Sequence, residues 1–219
     1  MNALPLHRRL STRSWLSFVT RRAALPLAIT LGIALSPLCL IGCASRSASP
    51  YATPSERDRD PMKANELTRT AADLIESDPE RAARLLRDAL AADLYHGPAH
   101  NNLGVIHLKR GDLYEAANEF EWARKLMPEQ PDPRTNLALT LETAGRQTEA
   151  LQTYAAALQI RPEHMPTMQA LARIQIRLGK ADAKTHERLS EIALRGTTPR
   201  WRDWAREQAL KVPTNDLVK

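Results

Sequence analysis

Between Asn102 and Pro162 the apolar and small positions recur at spacings of three and four, and the whole set then repeats after a shift of 34 residues. Leu103, Leu137 and Leu171 fall in register, as do Gly104, Ala138 and Ala172, and Gly111, Gly145 and Gly179. Further columns pair Ala116 with Ala150, Phe120 with Tyr154, Ala123 with Ala157 and Pro128 with Pro162. Such self-similarity marks a repeat array. Within one unit, Leu103, Gly104, His107 and Leu108 precede the Gly111-Asp112 turn, and Ala116, Phe120, Ala123 and Leu126 follow it. This periodicity predicts two amphipathic helices of about 14 residues each. The glycine between them supplies the left-handed residue that ends the first helix. Gly104 and Ala116 allow the backbones to approach, Phe120 fills space between successive pairs, and each closing proline starts a new segment.

The pattern weakens on either side. Leu67, Ala71 and Leu74, then Asp78-Pro79, then Ala82, Leu86 and Ala89 predict another pair whose turn is one residue short. Asp78 suits an N-cap and Pro79 a first helical position. Downstream, Leu171, Ala172 and Gly179 hold register, but Lys184 and Arg188 stand in the small and aromatic columns, as a terminal repeat tolerates. After Thr198-Pro199, Trp201, Trp204, Ala205 and Ala209 share one face. They read either as a cap over the end of the stack or as interface anchors. The folded part is expected to be all-α from Met62 to about Val212.

These columns resemble those of the tetratricopeptide repeat, whose consensus has Asn-Leu-Gly, a Gly-Asp or Gly-Lys turn, then Ala, an aromatic residue, Ala and a terminal Pro. The unit NNLGVIHLKRGDLYEAANEFEWARKLMP departs mainly at His107 and, just ahead of it, at His100. The unit ending at Pro162 matches from end to end. The resemblance implies a right-handed α-solenoid of about three to four antiparallel helix pairs. Its repeats would span residues 62–94, 97–130, 131–164 and 165–196, followed by a capping helix and tail at 197–219. It also implies a concave groove that receives a protein or peptide partner. The first-helix stripe facing that groove would carry Asn101, Asn102, Val105 and Lys109, then Asn136 and Leu139, then Arg173 and Arg177, with Leu108, Thr135, Glu142, Gln169 and Ile176 alongside. Asn102 and Asn136 match the asparagine that contacts the ligand backbone in peptide-binding relatives. Lys109, Arg173 and Arg177 would receive a carboxylate. The competing reading leaves these polar side chains in water.

The net charge of +6 first suggests an anionic partner, yet Arg8, Arg9, Arg13, Arg21 and Arg22 lie before residue 43, where no acidic residue occurs. Without them the remaining basic residues nearly balance the 25 acidic ones, so nucleic acid is not an expected partner. Those arginines precede an apolar run from Ala23 to Ile41, the layout of an export signal over residues 1–42. The run ends in Leu40-Ile41-Gly42-Cys43, which resembles the bacterial lipobox. That resemblance implies cleavage before Cys43 and a lipid on its sulfur, the alternative being an uncleaved membrane anchor. Ala44 in place of Asp favours, by the same resemblance, the outer membrane facing the periplasm. Residues 43–61, rich in Ser, Pro and charge, are expected to form a flexible tether.

Both cysteines, Cys39 and Cys43, belong to this leader region, so the repeat region has no thiol for catalysis or metal binding. His96, His100 and His107 cluster in sequence, but the packing columns that two of them occupy favour a structural role over a metal site. No phosphate loop or nucleophile motif occurs. The expected protein is thus a non-enzymatic, lipid-anchored scaffold of the bacterial envelope that needs no cofactor, with a self-associating structural subunit as the alternative. Cys43→Ala is expected to abolish metabolic labelling with a fatty acid, and labelling that persists in the variant would refute the anchor.

Overall fold

Aspartate, threonine and proline set where several helices begin. The computed structural model describes residues 59–212, so the expectations for the leader, for Cys43 and for the tether up to residue 58 lie outside the described residues. Among the described residues there are nine α-helices and no strand. These are α1 (Pro61–Ala72), α2 (Pro79–Ala92), α3 (Gly97–Arg110), α4 (Leu113–Leu126), α5 (Asp132–Thr143), α6 (Gln147–Ile160), α7 (Met165–Arg177), α8 (Ala183–Arg195) and α9 (Pro199–Ala209). Asp60, Asp78, Asp182 and Thr198 each accept the backbone N–H three residues on, which satisfies a donor that the helix leaves unpaired. Pro61, Pro79 and Pro199 occupy first positions, where a missing N–H costs nothing. Gly111, Gly145 and Gly179 have φ of 86°, 79° and 64°, so all three expected left-handed turns are present. None of these helices is long and apolar enough to cross a membrane.

The helices stack in sequence order. The odd-numbered ones also touch each other, α1 to α3, α3 to α5 and α5 to α7, whereas no even-numbered pair is in contact to that extent. The odd-numbered helices therefore line the tighter side of the array. The core follows the stacking as three consecutive clusters. The first joins α1, α2 and α3 through residues such as Ala64, Ala82, Leu86 and Ile106. A second surrounds Phe120 and Tyr154, and the third joins α7, α8 and α9 through Met168, Leu189, Ile192 and Ala205. This is the all-α stack of helix pairs, with a last helix packed on its C-terminal end, that the resemblance implies. Each unit buries its apolar face only against its neighbours.

One column sets the helix spacing. Leu86, Phe120, Tyr154 and Arg188 are 34 residues apart, and the first three are fully buried. The Phe120 ring lies against Gly104 so closely that a Cβ there would sit 2.7 Å from its Cε1. Gly104 thus makes room for a ring rather than for a second backbone. In the fourth pair Arg188 replaces the aromatic residue and donates from Nη1 to Gln175 Oε1 at 2.7 Å. Burial pushes its guanidinium pKa below the ordinary value. With Lys184 also in the small column, α8 packs more extensively against α9 than against α7.

Gly104→Ala is expected to destabilise the protein by about 1–3 kcal/mol through overpacking. Phe120→Leu, which withdraws the ring, is expected to make the double variant less unstable than the sum of the singles in urea unfolding.

Candidate functional site: the first-helix face

On the tighter side of the stack the polar side chains of α3, α5 and α7 bond to one another. Asn136 donates from Nδ2 to Asn101 Oδ1 (3.0 Å), and Asn101 donates from its own Nδ2 to Asn102 Oδ1 (3.4 Å). Next to Asn136 along the chain, the Thr135 hydroxyl meets that of Thr167 at 2.6 Å. The amide ladder uses one acceptor of Asn102 and one donor of Asn136. Asn102 keeps both N–H donors and Asn136 its carbonyl oxygen, uncommitted to any of the described residues. Val105 is half-buried and Leu139 is exposed beside them.

The expected basic residues are already engaged. Lys109 pairs with Glu76, which follows α1. Arg173 donates from Nη2 to both oxygens of Glu142 at 3.1 Å, and Arg177 donates from Nη2 to Oε1 at 2.9 Å. The carboxylate these two arginines hold is therefore the chain's own. Only 6% of the Glu142 side chain is exposed, and the Tyr154 hydroxyl donates to its Oε2 at 3.1 Å. Burial, with the Glu142 charge beside it, pushes the Tyr154 phenol pKa well above its ordinary value, so it stays a donor. Two guanidiniums and a phenol around one buried carboxylate satisfy it and lock α5, α6 and α7 together. They also leave one positive charge in excess.

Two of the three histidines that cluster in sequence bond within the fold. His100 is 4% exposed, with Nδ1 2.6 Å from Glu119 Oε2 and Nε2 2.9 Å from the Leu94 carbonyl, and its ring stacks on Trp122 at 5.8 Å. His107 faces Asp112 at 3.3 Å. His96 stands at the N-cap of α3, where burial lowers its pKa and leaves Nε2 without a partner. Among the described residues no three metal-ligating side chains converge.

Sequence reasoning placed Glu142 on this stripe and Tyr154 in the aromatic column without connecting them. The signal was present: shifting by 34 residues aligns Glu142 with Leu108 and Ile176, so a carboxylate interrupts an apolar column.

Residues 76–121 and 107–164 match the tetratricopeptide repeat family. A TPR repeat-containing thioredoxin of Arabidopsis thaliana is 30% identical over 122 residues, 55% of this chain. The match spans 17% of that protein's length. Among solved structures, a TPR protein of Thermus thermophilus superimposes with a TM-score of 0.57 at 18% identity, covering 68% of this chain and 82% of that one. The first TPR of Spaghetti (RPAP3), solved bound to an HSP90 peptide, gives 0.52 at 16% identity, with coverage of 56% and 98%.

Tyr154→Phe removes a part-buried hydrogen bond and is expected to cost about 1 kcal/mol, and Glu142→Gln roughly 1–2 kcal/mol, because its arginine partners are half exposed. A double-mutant cycle by urea unfolding should show that the two losses do not add.

Proposed function

We propose that the protein is a non-enzymatic scaffold whose first-helix face binds an extended segment of a protein partner. In this reading it is tethered by a lipid on Cys43 to the bacterial envelope, in the outer membrane facing the periplasm, and serves as an adaptor or assembly factor there. The observation that carries the binding half is the amide ladder Asn136–Asn101–Asn102, with free donors at one end and a free acceptor at the other. A peptide backbone offers the complementary pair at every residue, so a side chain able both to donate and to accept suits it. Val105 and Leu139 add apolar surface beside the ladder. The peptide-bound Spaghetti repeat supports the same use of the fold. The envelope half rests on the lipobox-like end of the leader.

A second reading, self-association, is favoured by Leu194 and Leu210, which are 76% and 89% exposed near the C-terminal end. One experiment addresses both. In cross-linked capture from the native cell, the Asn102→Ala/Asn136→Ala variant should lose a partner that the wild type retains. Equal recovery of every partner by both proteins overturns the groove reading. Recovery of the chain alone, by both, supports self-association.

A further inference from the structure

We propose that the cleft between α7 and the start of α9 is a receptor site for an acidic peptide segment that carries an aromatic or large apolar side chain. The proposal rests on the scaffold reading above and names the chemistry of the partner at one end of that face. The cleft measures about 530 Å³ and is lined by Arg173, Thr198, Arg200, Trp201 and Trp204. That volume lies inside the roughly 300–1,000 Å³ of sites that enclose a ligand group. It suits a side chain or two rather than a folded domain.

The walls specify the occupant. Trp201 and Trp204 meet edge to face, with centroids 5.1 Å apart and planes at 89°, and both pack against the cluster around Leu189, Ile192 and Ala205. Each indole is therefore held by the core while remaining part-exposed toward the cleft. Pre-held aromatic walls bind apolar groups without losing further side-chain freedom. The charged wall has one sign, with no acidic residue in the lining. Arg200 is exposed and forms no ion pair with any described residue. Arg173 shares Glu142 with Arg177, so the pair keeps a net positive charge, and its Nε is buried without an acceptor. A carboxylate entering beside the indoles meets two guanidiniums, and an aromatic side chain next to it meets two tryptophans.

Arg173 ties the cleft to the groove. It occupies the same 34-residue column as Val105 and Leu139, so a chain lying along the asparagine ladder and on past Leu139 reaches the cleft. Nucleic acid would also offer negative charge and rings. However, the perpendicular indoles close a short well instead of forming a platform of parallel faces along a backbone track, which favours the peptide.

The test uses the purified full chain in detergent and three dye-labelled synthetic peptides read by fluorescence anisotropy. One is an acidic peptide of Asp and Glu around a central Phe, one has Ala for the Phe, and one has Lys for every acid. The acidic Phe peptide should bind, and raised salt should weaken it. Arg200→Glu should lower its affinity by about tenfold or more, the scale of one charge-assisted contact, at an unchanged thermal midpoint. Trp204→Leu should reduce binding of the Phe peptide but not of the Ala peptide. Equal binding of the Phe and Ala peptides, indifference to Arg200→Glu, or displacement by single-stranded oligothymidylate through the same residues each overturn the proposal. The two readings separate cleanly. If Asn102→Ala/Asn136→Ala loses the envelope partner while both cleft variants bind every peptide as the wild type does, the groove stands and the cleft falls. If only the cleft variants fail with the acidic Phe peptide, the cleft stands without the ladder.

Discussion

The stack depends on how closely the second helix of each pair can sit on the first. Phe120 rests on the bare backbone of Gly104, Ala116 and Ala123 have no bulk to hold α4 away, and a small-and-aromatic pattern returns in the next unit at Ala138, Ala150, Tyr154 and Ala157. Burial at such contacts contributes roughly 25 cal/mol per Å² of apolar surface removed from water. A side chain of the wrong size therefore alters the spacing of the whole stack as well as the local energy. Where the column changes to Lys184 and Arg188, the pairing of α7 with α8 loosens and the chain leans on α9 instead.

The fold was legible because the information that specifies it is local. Spacings of three and four, three glycines at fixed offsets and capping residues such as Asp78 act within one or two turns of chain, and the repeat supplies each signal more than once. The stripe of first-helix residues was legible for the same reason, since a register defines a face. What could not be read was who bonds to whom across repeats. Arg173, Arg177 and Tyr154 come from two helices and meet on Glu142 of a third, and only the stacking geometry makes that carboxylate their common partner. Likewise, the sequence places Trp201 and Trp204 on one face of α9 but does not show that this face leaves a cleft beside Arg173.

The first-helix face combines two kinds of polar surface. Glu142 is fully satisfied by the donors around it, and replacing it would strand positive charge. The asparagine ladder is satisfied only in part, and a surface with spare donors and acceptors can exchange water for a peptide backbone at little cost. The first kind makes the face rigid. The second is what the proposed reading assigns to a partner.

The preference of α8 for α9 over α7 has a consequence for how the end of the molecule moves. Local stability in a stacked array follows its nearest-neighbour interfaces, so the seam between α7 and α8 is where a terminal foldon of two helices would separate first. The cleft straddles that seam, with Arg173 on α7 and the tryptophans on α9. An occupant would thus act as a clasp between the body of the array and its last two helices. Part of its binding free energy would appear as protection of the C-terminal end against opening.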